Sequence, residues 1–394
     1  MKSESGKPFT EIARESNNDF ENFAKSPHQT GKTWRIIHER VYIPVYKTMR
    51  VTIRDVAERA GVSAMAVSAV LNGAGGRKVT VTPEKEERIR AAARELRYQT
   101  NHAAKNFRQG RTGQVAVVFQ NFGRFVALSS YRGDVMNGVM EALFPQNYTL
   151  SLCPRLIQDG NPDIVSDGRF DGVLWCRPDL TEDSTISLQK ASVPVVMMHA
   201  PPGTVLGVPT FCADNDGAMR RVVSHLVSLG HERIAYVIDP VSEHSVEGQA
   251  RAEALRSAAR RAGLPEPEVI VLARDHSILA RYAEPSRPHT ALVCFSDELA
   301  RFVLGSCERL GVEVPRHVSI VGFDSSPLCE TTRPRLTSVS QPVERMAFEA
   351  TSHLLSLIRA AQEGTPSSTA TSTLYDCGLD IRESTGPAAL IDES

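Results

Sequence analysis

From residue 114 onward the chain alternates short, almost wholly apolar runs with stretches of helical periodicity, and this pattern restricts the fold more than any other feature. The runs occupy 115–119, 148–152, 172–176, 194–198, 234–238, 269–272, 291–295 and 318–322. Consecutive apolar residues suit a strand covered on both faces, as in parallel sheets flanked by helices, whereas a strand with one wet face alternates apolar and polar residues. The region, roughly 270 residues, exceeds what one hydrophobic core comfortably holds. Two α/β lobes are therefore predicted.

Residues 51–98 follow a different rhythm. Ile53, Val56, Ala57 and Ala60 recur at the i, i+3, i+4, i+7 spacing of an amphipathic helix. Gly61, Val62 and Ser63 interrupt it, and Ser63 is suited to cap a second helix whose inward stripe is Val67, Val70 and Leu71 and whose end is Asn72-Gly73. Thr82-Pro83 then opens a third helix with Ile89, Ala92, Ala93 and Leu96 on one face. Two short helices joined by a three-residue glycine turn make a helix-turn-helix, whose second helix lies in the DNA major groove.

The charge is distributed to match. Residues 49–113 carry 13 Lys and Arg against 6 Asp and Glu, residues 114–394 carry 24 against 34, and residues 1–48 carry 8 against 6. A basic stretch ahead of an acidic body is expected where only the first part meets a polyanion. The seven cysteines, Cys153, Cys176, Cys212, Cys294, Cys307, Cys329 and Cys377, are dispersed without a C-x-x-C pair, which fits reduced, cytoplasmic usage. The N-terminus lacks the apolar core of a secretory signal, and no run approaches the roughly 18 apolar residues of a membrane span. Residues 1–48 are polar and aperiodic and read as a disordered extension or a misassigned start, with Met49 as the alternative initiator.

The segment VTIRDVAERAGVS from Val51 to Ser63 resembles the opening of the LacI/GalR transcriptional regulators almost residue for residue, and Val67-Ser68 and Val70 to Gly73 continue the likeness. Arg90 to Tyr98, Asn101 and FRQGRTG from Phe107 to Gly113 resemble that family's third helix, hinge and linker. Asp214-Asn215, His225-Leu226, Leu229 to His231, Arg233 to Ala235, Val314-Pro315 and Val318 to Asp324 match its sensor. The resemblance implies an all-α helix-turn-helix headpiece with a hinge helix, followed by an α/β two-lobed, type I periplasmic-binding-protein-like domain with parallel sheets. The expected divisions are 49–99 for the headpiece, 100–112 for hinge helix and linker, 113–385 for the effector-binding and dimerisation domain, and 386–394 for a tail. A homodimer on a palindromic double-stranded DNA operator, controlled by a small, sugar-like effector, is implied, with repression as the expected mode.

DNA contacts are expected from Thr52, Ser63, Ala64, Met65, Ser68, Ala69 and Asn72 of the headpiece and from Asn101, Ala104, Lys105, Phe107 and Arg108 of the hinge. Met65 and Ala69 stand where relatives often carry polar or basic residues, so base reading would rest on apolar contact and duplex shape. Phe107 occupies the place of the family's leucine wedge between bases, or else is a linker residue packed on the sensor. In an open α/β sheet ligands bind beyond the carboxyl ends of the strands. Expected effector contacts are therefore Gln120, Asn121 and Phe122 after the first run, Trp175 at the third, Asp214, and from the second lobe Arg251, Ser296 and Asp324. The resemblance favours Arg251 and Asp324 as partners for polar groups, whereas Ser296-Asp297 departs from the Asn-Asp of relatives. Asp214 and Asp297 serve equally as helix caps, Trp175 as core, and Ala64 and Ala69 as simple helix formers.

Catalysis has no visible machinery and no cofactor or metal is expected. Gly31-Lys32-Thr33 resembles the end of a P-loop, but Ser26 stands where its first glycine belongs and no strand precedes it. No G-x-S-x-G, H-E-x-x-H or strand-following G-x-G-x-x-G occurs. A transporter-feeding binding protein, an enzyme on the same scaffold and a regulator that has lost sequence reading are the competing readings.

Overall fold

The computed structural model describes residues 51–72, 81–99, 106, 110–119, 130–153, 167–176, 180–273, 277–365 and 372–388. They belong to two compact units divided after Gln99. In the first, helix α1 (Ile53–Ala60) opens with a reciprocal cap: Thr52 Oγ1 accepts the Asp55 N–H, and Asp55 Oδ2 accepts the Thr52 N–H at 2.7 Å. It closes on Gly61 at φ 63°, a left-handed conformation that glycine adopts without steric penalty. Ser63 then caps α2 (Ala64–Asn72) by accepting the Ala66 N–H at 3.2 Å. Helix α3 (Pro83–Glu95) starts on its proline. Val56, Ala57, Ala60, Val67, Ile89 and Ala92 form the buried centre of this three-helix unit.

The second unit contains two six-stranded sheets. The first has the order β11-β5-β4-β3-β1-β2, built from β1 (Gln114–Phe119), β2 (Thr149–Leu152), β3 (Gly172–Cys176), β4 (Val195–Met198), β5 (Thr210–Ala213) and β11 (Thr373–Tyr375), all pairs parallel. The second has the order β12-β10-β9-β8-β6-β7, from β6 (Ile234–Ile238), β7 (Glu268–Val271), β8 (Ala291–Cys294), β9 (Ser319–Asp324), β10 (Thr337–Ser340) and β12 (Gly378–Asp380), parallel apart from β12 on β10. Each sheet is covered on both faces, which is why its strands read as continuous apolar runs.

In the first lobe Val115, Val117, Leu174 and Val196 face α4 (Ser130–Leu143) and α9 (Val343–Glu363). The alternate residues Ala116, Val118, Val173, Trp175, Val195 and Met197 face the other way, toward Leu188 of α5 (Glu182–Gln189) and Val205 and Val208. In the second lobe Ile234, Tyr236 and Ile238 pack on α6 (Asn215–Ser228) and α7 (Val246–Arg261). Ala235 and Val237 meet α8 (Asp297–Arg309) on the opposite face. Among the described residues no helix is long and apolar enough to cross a membrane.

Trp175 is fully enclosed in this packing, with 0% of its surface exposed. Truncating it removes a large volume from a close-packed layer, and Trp175→Ala is expected to lower stability by about 3–5 kcal/mol. Urea denaturation of the sensor signal measures this, and a loss below about 1 kcal/mol, the scale of an ordinary surface change, would place the indole outside the core.

Candidate functional site

The first candidate surface is one face of α2. Ala64, Met65, Ser68 and Ala69 occupy positions i, i+1, i+4 and i+5 of the helix, opposite the buried Val67. Ala64 and Met65 are exposed, Met65 to 61%, and Ser68 and Ala69 are half-buried. The helix has no acidic or basic residue. These four residues offer methyl groups, a thioether and a hydroxyl, none of which can form a bidentate pair with a base edge, and the apolar groups suit thymine methyls. Ser63 and Thr52 are exposed at the heads of α2 and α1, with the Thr52 hydroxyl donating to Asp55 Oδ2 at 2.8 Å. Asn72 ends α2.

The second lies where the lobes join. The chain passes between them at 214–215, 341–342 and 376–377, each time beyond the C-terminal end of a strand, β5, β10 or β11. Residues at other strand ends gather beside these crossings. On the first lobe His199 follows β4, Cys176 ends β3, and Tyr131 lies in the first turn of α4, its ring edge-on to His199 at 5.1 Å. On the second, Phe295 follows β8, Asp324 ends β9, and Arg251 projects from α7.

Arg251 is 3% exposed and fully surrounded. It donates through Nη2 to Glu247 Oε1 at 2.9 Å, through Nε to Asn215 Oδ1 at 3.3 Å and through Nη1 to the Phe295 carbonyl at 2.7 Å. Its guanidinium carbon lies 3.6 Å from the centre of the Phe323 ring. Asn215 Nδ2 also donates to Glu247 Oε1, at 3.3 Å, so the first crossing is tied to α7. At the second crossing Gln341 Nε2 donates to Asp324 Oδ1 at 2.6 Å. Asp324 and Ser325 have φ of 119° and 49°, conformations that cost L-residues energy and persist only where the surroundings hold them. Here Ser338 Oγ accepts the Ser325 N–H at 3.0 Å, and Asp380 Oδ2 accepts the Ser325 hydroxyl at 2.5 Å.

These groups interact as one electrostatic cluster. Burial works against the charge of Arg251, but Glu247 and Asp324 outweigh it and keep the guanidinium protonated. Burial, with Asp297 nearby, raises the Asp324 carboxyl well above the usual range. Burial also raises the Tyr131 phenol, with contributions from Cys176 of its own lobe and from Asp324 and Glu247. Four buried polar atoms, Glu247 Oε2, Gln341 Oε1, His199 Nε2 and Tyr236 Oη, have no hydrogen-bond partner among the described residues. Native interiors leave few such groups, so a concentration of them calls for a ligand or ordered water.

Residues 52–101 match the lacI family of bacterial regulatory proteins, and residues 223–385 match the periplasmic binding protein-like domain. The chain is 31% identical over 328 residues to the HTH-type transcriptional regulator reg1 of Streptomyces lividans, covering 78% of this chain and 90% of that protein. The chain belongs to the LacI family. It is a DNA-binding transcriptional regulator with a helix-turn-helix region and a two-lobed effector domain. Among solved structures, the transcriptional regulator CelR in complex with cellobiose is 27% identical with a TM-score of 0.58, over 85% of this chain and all 100% of that one. The Lac repressor dimer bound to operator and the anti-inducer ONPF shares the fold at 20% identity and a TM-score of 0.71, over 86% and 99% of the two chains.

Of the sensor residues expected in this LacI-family chain, the structure brings Arg251 and Asp324 into the cluster. Asp214 instead caps α6, accepting the Gly217 N–H at 3.0 Å, and Ser296 caps α8, accepting the Leu299 N–H at 3.3 Å. Asp297 is a buried anchor rather than a cap: it accepts from the Ser326 N–H at 2.7 Å, Ser338 Oγ at 2.5 Å and Cys329 Sγ at 3.1 Å. Gly322 leaves the room for it, since a Cβ there would lie 2.3 Å from Asp297 Oδ1. Trp175 points into the first lobe's core, on the sheet face opposite Leu174 and Cys176, because its place in the strand alternation sends it there. Gln120, Asn121 and Phe122, and the hinge residues Asn101, Ala104, Lys105, Phe107 and Arg108, lie outside the described residues. Sequence reasoning missed Tyr131, His199, Asn215, Glu247 and Gln341. His199 directly follows a strand run, and Glu247 lies one helical turn before Arg251, so both signals were available.

Burial, and secondarily Arg251, lowers the pKa of His199 from 6.5 to about 3. The folded chain therefore keeps this ring neutral while the unfolded chain protonates it below pH 6.5. The resulting stability is complete above pH 6.5 and is lost as the pH falls toward 3, by up to about 1.4 kcal/mol per pH unit. The urea midpoint of the sensor, followed from pH 7 to 4.5, is expected to fall, and to fall less steeply in His199→Gln. Equal slopes in the two proteins would contradict this placement of the ring.

Proposed function

We propose that the chain works in the cytoplasm as a homodimer on a palindromic operator, represses by occupying it, and releases or tightens its hold when a small polar effector binds between the lobes. The observation that carries this reading is the set of buried polar atoms without a partner among the described residues: His199 Nε2 beyond β4 of the first lobe, Glu247 Oε2 on α7 and Tyr236 Oη on β6 of the second, and Gln341 Oε1 at a crossing. A ligand that hydrogen-bonds to His199 on one side and to Glu247 or Gln341 on the other favours one relative arrangement of the lobes. It shifts that equilibrium only by its difference in affinity for the two arrangements. Repression by occupancy needs no further interaction surface, and no catalytic step is assigned to the chain. The cellobiose held by the related CelR supports a sugar-like effector.

A mechanical link toward DNA is available. Asp171 accepts the Thr112 N–H at 2.7 Å, the Thr112 hydroxyl at 2.9 Å and the Gly113 N–H at 2.8 Å. The segment leading into β1 is thereby fastened to the first lobe, so a movement of that lobe carries the linker with it. In this reading two hinge segments, with Asn101, Ala104, Lys105, Phe107 and Arg108, meet the minor groove side by side, and Phe107 opens a base step. The twofold of the dimer sets the palindrome. Thr52, Ser63 and Asn72 hold the headpiece on the backbone, while Ala64, Met65, Ser68 and Ala69 face the bases.

Selection from a random DNA pool by the full chain tests the reading. A palindromic consensus with thymines under α2 is expected, at roughly a thousandfold or more over random DNA. Met65→Ala is expected to weaken the selected site while leaving the salt slope unchanged, because the thioether neutralises no phosphate. Absence of enrichment, or a salt-dependent affinity equal for all sequences, would contradict it.

A further inference from the structure

Gly386 donates its N–H to Ser319 Oγ at 3.1 Å, its carbonyl accepts from His231 Nε2 at 3.0 Å, and Ala388 donates its N–H to the Leu229 carbonyl at 2.8 Å. Residue 388 is thereby tied to the second lobe at the C-terminal end of α6. The sequence runs on through Ala389, Leu390, Ile391, Asp392 and Glu393, an apolar pair followed by two acids, which lie outside the described residues. Alongside α6 is a groove of about 550 Å³. Arg220, Arg221, Ser224 and His225 form its helical wall, at spacings that keep them on one face, and Leu379 of β12 and Ile381, 62% exposed, form the wall opposite. Strand β12 is the last of its sheet, and its outer edge has no strand partner among the described residues. Native proteins cover such edges or charge them.

The groove is cationic although the body around it is acidic. Asp376 neutralises Arg221, whose Nη2 donates to both carboxylate oxygens at 2.8 Å while Nε donates to the Cys377 carbonyl, also at 2.8 Å. Arg220 is exposed and has no ion pair among the described residues. The acids beyond residue 388 are within its reach. From Arg220 to Leu229 the helix rises about 14 Å, and the backbone from Ala388 to Glu393 spans up to about 17 Å when extended, before the lengths of the two side chains are added. An exposed ion pair is weak, so an acidic peptide arriving from solution gains little here. A tether changes the balance, because a short one holds its end at roughly millimolar effective concentration, and apolar contact adds to the attraction. We propose that residues 389–393 fold back along α6 and fill this groove, with Leu390 and Ile391 on Leu379 and Ile381 and with Asp392 and Glu393 at Arg220. The docked tail covers the edge of β12.

Timed carboxypeptidase digestion of the full chain, read by intact mass, tests this, because a docked tail is trimmed only while it is out of the groove. Arg220→Glu is expected to speed removal of the residues beyond 388 about threefold or more, the release of a weakly held tethered segment. Ile381→Ser is expected to act in the same direction. Both positions are exposed, so neither change disturbs the core. In a chain carrying Asp392→Arg and Glu393→Arg the sign reverses, and Arg220→Glu slows trimming. Each comparison holds the tail sequence constant, so the protease's own preferences cancel. Added salt is expected to speed trimming of the wild type and to leave Arg220→Glu unchanged, since it screens an exposed pair. Equal rates in the wild type and in Arg220→Glu overturn the docking. Protection that falls when the protein is diluted places the tail on a second copy and overturns the fold-back onto its own lobe.

Discussion

A guanidinium buried away from water must be compensated on every side, and the compensation of Arg251 organises the sensor. Glu247 supplies the counter-charge from one turn earlier in α7, Asn215 reaches in from the first crossing, the Phe295 carbonyl from the end of β8, and the Phe323 ring from β9. Helix, crossing and two strands therefore share one electrostatic partner. Removing Glu247 alone would leave an unpaired buried charge, a loss of about 3–5 kcal/mol. The pairing is not complete: Glu247 keeps a second oxygen without a donor among the described residues, beside the first crossing.

In the proposed function, the same junction is where a small molecule would act. The chain passes between lobes by short connections, and two of them carry a site residue, Asn215 and Gln341. In that reading, a ligand that hydrogen-bonds to these residues acts at the chain crossings between the lobes. The strained backbone at Asp324 and Ser325 lies between Ser338, Asp380 and Gln341, and strain of this kind accompanies sites where geometry is held for a purpose. Asp171 fastens Thr112 and Gly113, the segment leading into β1, to the first lobe.

Much of the fold was legible because strands buried on both faces leave long apolar runs; all eight runs became strands. The strands that escaped, β5, β10, β11 and β12, are three or four residues long. Strand β10 is also rich in hydroxyls. Thr337 and Ser338 are fully buried, but Thr337 donates its N–H to Ser384 Oγ and shares a hydrogen bond with Thr385, and Ser338 donates to Asp297, so no apolar signal marks them. The headpiece was legible through local rules, with the Ser63 cap and the Gly61 turn where short-range chemistry requires them. The site was legible only in part. Arg251 and Asp324 stood out through resemblance, whereas His199, Asn215 and Gln341 matter because remote strands end side by side, which linear spacing does not reveal. Trp175 illustrates the converse: the sequence leaves it open between effector contact and core, and strand alternation places it in the core.

The central claim is that occupancy of the strand-end cluster between the lobes sets the affinity for DNA. Its most direct test is an anisotropy titration of the selected operator, with and without a saturating ligand of the cluster, in the wild-type chain and in Asp324→Asn. The account predicts a change of about tenfold or more in operator affinity for the wild type, within the range of ordinary allosteric coupling, and none in the variant at the same ligand concentration. An unchanged operator affinity in the wild type with ligand demonstrably bound, or an equal change in both proteins, would contradict it.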